Sequence, residues 1–184
     1  LLRTFFAPSS HLLRTFFARR SYDPVSVITG GRRYSFNLVG SLVLFKDCYA
    51  IHDRHSFASS SGVHGPNAFV DCTAEGTFSD IGPHHRYATG QLYDRTRGGD
   101  MRAWDRGSMG SGHGWAGAFV TFWNVLVTGE GGKELTVENP TVEGTYNYAV
   151  GPRGDRMRMG AEGVGVGWYE SVGLTSFRQV CIWR

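Results

Sequence analysis

A chain of 184 residues is long enough to bury one real core and too short for two comfortable ones. With 26 glycines and 6 prolines it is turn-rich, yet it stays below the roughly 25–30% Gly plus Pro of low-complexity chains, so it reads as a folded β protein. The formal charge of +3 is unevenly spread: residues 1–33 carry six arginines against Asp23 alone, while the remainder carries 13 basic and 15 acidic residues, which excludes from the body the clustered basic stripe that a nucleic-acid surface needs.

The first element is the arginine-rich arm, 1–33, in which LLRTFFA at 1–7 returns at 12–18. A repeat 11 residues long is too short for a solenoid unit, so the arm is expected to stand outside the fold. The apolar stretch lacks the length and cleavage site of a secretory signal. No run of 18 apolar residues occurs anywhere, which excludes a transmembrane helix.

From Tyr34 to Arg184 the texture changes to short apolar runs separated by turn residues, and this part is expected to form one domain. Four runs share an apolar or aromatic strand followed by Asp or Asn: LVLFKDCYA, NAFVDCTAE, GQLYDRTR and AFVTFWNVLV. Aligned on Asp47, Asp71, Asp94 and Asn124 they are spaced by 24, 23 and 30 residues. A period in the twenties, made of strands without helical periodicity, predicts an all-β parallel solenoid of about five coils. The markers then fall at one turn in successive coils, where short polar side chains bond nearby backbone donors. Cys48 and Cys72 stack as small buried side chains, and with Cys181 they make an odd set in no metal-ligand spacing. After Asn124 the signal weakens, and Trp168, Tyr169, Phe177 and Trp183 are expected to cap the end of the stack.

Longer connections carry the reactive side chains, as loops on a rigid scaffold do. HDRHSFASSSGVHG spans 52–65, a second connection spans 80–90, and a glycine-rich third spans 98–117. If the coils stack, the three emerge on one side and gather His55, His85 and His113. Asp53 with Arg54, Asp94 with Arg95 and Asp105 with Arg106 read as solvated pairs of sequence neighbours. RGSMGSGHG lacks the spacing of a nucleophile elbow, and no glycine run has the Lys-Ser of a phosphate loop. HxxH at His52 and His55 is weak evidence for zinc, so no metal is assigned; calcium held by loop carboxylates is the alternative ligand.

HDRHSFASSSGVHGPNAFVDC, then HHRYATGQLYD, then DRGSMGSGHGWAG before FVTFWN, together resemble the C-terminal half of bacterial secreted right-handed parallel β-helix proteins of the pectate-lyase-like superfamily. The resemblance covers Phe45 to Asn124 well and Glu138 to Gly173 loosely. It implies a carbohydrate-active protein, secreted or periplasmic, that is a piece of a longer helix and self-associates through exposed coil ends. Such folds host lyases, hydrolases and non-catalytic modules. Elimination from a uronate polysaccharide needs a base beside a cation. His85 or His113 is the expected base and Arg86 the carboxylate clamp, with Asp53, His55, His84, Trp104, Asp105 and Trp115 expected along the substrate. Hydrolysis would need two carboxyl groups, from among Asp53, Asp80, Asp100 and Asp105, held at a defined separation. A glycan-binding or assembly module without catalysis is the third reading.

Overall fold

The computed structural model describes residues 33–154 and 156–159, together with the backbone of two strands, Leu12–Arg14 and Phe17–Ala18. Its strands wind as a parallel β-solenoid of about five turns with three faces. The first face stacks Leu12–Arg14, Leu44–Lys46, His64–Val70, Ala88–Asp94, Thr121–Trp123 and Tyr148–Val150, with Gly117–Ala118 beside the fourth. The second stacks Phe17–Ala18, Tyr49–Ile51, Thr73–Glu75, Arg97–Gly98 and Leu126–Val127. On the third face Tyr34–Leu38, His55–Ser59 and Gly82–Pro83 form one sheet, and Met101–Ala103, Glu134–Val137 and Arg156–Met159 form another. A parallel bridge from Ile81 to Met101 joins the two.

The second copy of LLRTFFA thus supplies both short strands that precede Tyr34 and pair onto the stack. The first copy, Cys181 and the expected cap at 160–184 lie outside the described residues. Among the described residues no helix is long and apolar enough to cross a membrane.

Period-2 alternation puts every second side chain of the first face inside. Phe45, Phe69, Tyr93 and Phe122 form one interior column, with neighbouring ring centroids 5.2, 5.3 and 5.0 Å apart and nearly parallel planes. In-register coils repeat every 4.7–4.9 Å or so, about the spacing at which offset rings stack well. Cys48 and Cys72 follow in the next column as buried thiols, with no disulfide joining them. At the start of the same face, buried side-chain amides close the turns: Asn67 accepts from Val43 N–H at 2.9 Å, and Asn147 accepts from Val120 N–H at 2.9 Å.

From Leu44 onward, each described coil turns from the first face to the second through one left-handed residue. These are Asp47, Asp71, Arg95, Asn124 and Gly151, with φ of 55°, 55°, 50°, 48° and 58°. The expected marker in the third coil was Asp94, and the structure corrects it by one position. Asp94 pairs with Val70 and Trp123 inside the strand, so the turn falls on Arg95 and the spacing from Asp71 becomes 24, as in the coil before. Arginine has no side-chain means of easing φ > 0, unlike Asp, Asn or Gly. Its compensation is across the coils: Nε and Nη2 of Arg95 each reach an Asp71 carboxylate oxygen at 2.6 Å. Arg95→Gly is therefore expected to leave stability within about 0.5 kcal/mol of the native chain, relief of the left-handed conformation offsetting a half-exposed ion pair. Arg95→Ala loses the pair without relief and is expected to cost about 1 kcal/mol. Urea titration of both variants checks the difference; equal losses would show that the turn stores no strain.

Candidate functional site

The site lies where the third face meets the first. Pro83 ends a strand of the third face, and His84, His85 and Arg86 follow before the first-face strand begins at Ala88. His84 is tied to the coil before it by its N–H to Ser59 C=O at 3.1 Å. The third histidine arrives on an excursion between Trp104 and Ala116. This is a narrow antiparallel loop, closed by Arg106 N–H to Gly114 C=O at 2.9 Å and Ala116 N–H to Trp104 C=O at 3.1 Å. Its tip is one irregular turn, Met109–Gly112, in which Gly110 has φ 57° and ψ −117°. A Cβ at Gly110 would stand 2.3 Å from the His113 ring, so only glycine lets the turn close over that imidazole. Five residues separate this coil from the 24-residue repeat, since Asn124 follows Arg95 by 29; the excursion holds the insertion.

The stacking brings together the histidines that the sequence distributes over three connections. Ring centroids run from His55 to His84 at 4.2 Å, His84 to His85 at 4.9 Å, His84 to His113 at 5.0 Å and His85 to His113 at 4.1 Å. His85 is half-buried and Arg86 beside it is exposed; Arg86 Nη1 donates to Gly112 C=O, which ties the guanidinium to the excursion. His55, His84 and His113 are buried. Burial lowers the basicity of His84, His85 and His113; the neighbouring charges, His55 and Arg106 for His84, His113 for His85 and Arg106 for His113, add to it. The result is a group of imidazoles held neutral.

Beneath them lies a buried ion pair. Asp80 accepts from Arg106 Nη1 at 2.6 Å and from Ser79 Oγ at 3.0 Å, and its other side faces His55 Nδ1 at 3.2 Å. His55 Nδ1 also meets Asp80 C=O at 2.8 Å, and because a carbonyl only accepts, Nδ1 carries a proton and donates it there. Nε2 of His55 meets no hydrogen-bond partner among the described residues, and neither does Nδ1 of His84 or of His113. Tyr34 stacks on His55 with centroids 5.4 Å apart and shields it from solvent.

Several expected contacts fall elsewhere. Asp53 and His55 were expected along the substrate, but each is only 1% exposed, so they support the site from below. Asp53 accepts from Ser56 Oγ at 2.6 Å; burial raises its carboxyl above the usual range, with Ser35 and Ser56 offsetting part of the shift. Trp104 carries the guanidinium groups of Arg102 and Arg106 at 5.2 and 6.0 Å from its ring, and so packs the buried pair. Asp105 is exposed and accepts from Gly107 N–H at 2.8 Å, holding the excursion's turn. Trp115 is half-buried beside it, on the antiparallel bridge to Asp105. None of the three Asp–Arg neighbours acts as a solvated pair: Asp53 is buried against Ser56, Arg106 turns inward to Asp80, and Arg95 pairs chiefly with Asp71. Arg106 and Tyr34 were missed as site residues because only the folded chain reveals that Asp80 is buried and needs a cation.

No family model, no curated protein and no solved structure matches the chain. The likeness to the pectate-lyase-like superfamily is therefore supported at the level of the parallel β-solenoid alone.

Proposed function

We propose that the histidine site cleaves an acidic polysaccharide by β-elimination, with His85 as base and Arg86 as carboxylate clamp. The observation that supports this most is the pairing on one rim of a half-buried imidazole with an exposed guanidinium, above histidines that burial keeps neutral. Arg86 uses Nη1 to hold Gly112 C=O and keeps further N–H donors for a uronate carboxylate. Neutralising that carboxylate eases loss of the proton on the adjacent carbon. The imidazole takes that proton, the C–H electron pair forms a carbon–carbon double bond, the glycosidic C–O bond breaks, and the leaving oxygen takes a proton from solvent. Hydrolysis fits less well, because its four candidate carboxylates are already engaged: Asp53 with Ser56, Asp80 with Arg106, Asp100 with Glu134 N–H and Asp105 with Gly107 N–H.

Incubation with a panel of uronate polysaccharides is expected to produce the ultraviolet absorbance of an unsaturated sugar. His85→Asn is expected to slow it by about 100-fold, the lower range for loss of a general base. Absorbance that is unchanged in that variant would remove His85 from the mechanism, and reducing ends without absorbance would show hydrolysis instead. A second reading, glycan binding without cleavage, draws on an open trough of about 510 Å³ on the outside of the first face, lined in part by Leu42, Pro66, Leu92 and Phe119. Retention on a glycan gel with no new chromophore would favour it. Secretion or a periplasmic location, and pairing of stack ends between copies, belong to the same proposal; sedimentation as monomer alone counts against the pairing.

A further inference from the structure

The imidazoles of His84, His85 and His113 lie closer together than elimination requires. Each ring offers a nitrogen, and the three nitrogens lie within 4.8 Å of one another. Nδ1 of His84 and Nδ1 of His113 are buried with no hydrogen-bond partner among the described residues. Leaving such atoms unsatisfied is costly, and most buried polar atoms in folded proteins have a partner. A ligand that accepts several nitrogen lone pairs at once would satisfy both.

We propose that His84, His85 and His113 form a binding site for a divalent transition-metal ion of the zinc class, and that an ion seated there stops the elimination by occupying the lone pair of the base. The shut-off rests on the function proposed above; the ion site does not. Imidazole suits zinc, cobalt, nickel and copper, whereas calcium takes oxygen ligands, which this trio does not offer. A tetrahedral ion with Zn–N bonds of about 2.0–2.1 Å needs nitrogens about 3.3 Å apart, so the rings must turn inward. His113 can do so, because the residues around it include Gly110, Gly112 and Gly114, all at positive φ. Arg86 and Arg106 make the surroundings positive, which favours an anionic fourth ligand such as hydroxide or a carboxylate.

Calorimetric titration of the full chain with zinc chloride is expected to give one strong site, and cobalt(II) in its place the visible absorbance of a tetrahedral ion. His85→Asn and His113→Asn are each expected to weaken zinc binding at least tenfold. His85 is only half-buried, so its variant keeps the fold even if the other does not, and a thermal melt verifies this. His52→Asn and His64→Asn, at exposed positions outside the trio, are expected to leave the strong site intact. Binding unchanged in the folded His85 variant, or lost in the His52 or His64 variant, overturns the ion site. On a substrate that yields the chromophore, one equivalent of zinc is expected to suppress product at least tenfold and a chelator to restore it. Undiminished turnover at full occupancy overturns the shut-off and leaves the ion site standing. No chromophore on any substrate removes the elimination and its shut-off together, and the titration alone then decides the ion site.

Discussion

Phe69→Ala is expected to lower the unfolding free energy by about 3–5 kcal/mol, the range for truncating a fully buried aromatic side chain. Phe69 is 0% exposed and its ring lies between Phe45 at 5.2 Å and Tyr93 at 5.3 Å. Its ring also packs against Phe57, tilted, with centroids 5.4 Å apart. In a stack of coils each winding touches only its neighbours, so a hole in one column removes packing from the windings on both sides. Backbone pairing to the flanking strands prevents the coil from collapsing into the space, which puts the cost toward the upper part of the range. Tyr93→Phe supplies the contrast. It keeps the ring and removes a buried hydroxyl that has no hydrogen-bond partner among the described residues, so it is expected to be neutral or to stabilise by about 1 kcal/mol. Urea denaturation followed by tryptophan fluorescence measures both. A loss below about 1 kcal/mol in Phe69→Ala would mean that the column is not what joins the coils.

Three members of that column were legible in the sequence: aligning the runs on Asp47, Asp71, Asp94 and Asn124 sets Phe45, Phe69 and Phe122 two residues before their markers. In the third coil the same alignment selects Leu92, whereas the structure stacks Tyr93 there. The marker in the third coil was misread for a physical reason. Asp is the residue that tolerates a left-handed turn, so Asp94 was the natural choice, whereas Arg95 occupies the turn through an ion pair to the coil before. A contact between residues 24 apart leaves no trace in local propensity. Stacking alone led to the expectation that His55, His85 and His113 gather on one side; His85 and His113 meet directly, and His84 links them to His55. The depth of His55 was not foreseeable: HDRHSF reads as a polar loop, yet His55–Ser59 is a strand with all five residues buried. Tyr34 and His84 pack on His55 from neighbouring segments, and that covering exists only once the coils are assembled. The second-face turn and the outer trough likewise depend on register and not on composition.

Asp80→Asn is expected to cost about 3–5 kcal/mol, because it leaves the Arg106 guanidinium buried without a counter-charge. Arg106 is 8% exposed, and its bond to Asp80 at 2.6 Å is the only hydrogen bond or ion pair that the described residues give its guanidinium, apart from its position over Trp104. Pairing Asp80→Asn with Arg106→Met removes both charges and is expected to recover most of the loss, since a buried ion pair and an apolar replacement of similar volume differ little in stability. Acid gives an independent reading of the same pair. Burial alone would raise the Asp80 carboxyl, but the hydrogen bond with His55 and the charge of Arg106 outweigh it and hold the group below the usual carboxylate range. A lowered folded value means that the folded chain binds the proton less readily than the unfolded chain. The stabilisation is thus complete above an ordinary carboxylate pKa of about 4 and is lost as pH falls through the folded value. Urea midpoints measured from neutral pH down to about 3 are therefore expected to fall in the native chain and to fall less steeply in the double variant, which keeps the other carboxylates but not this one. Equal slopes in the two chains would show that Asp80 carries no such linkage, and the floor of the histidine cluster would then need another explanation.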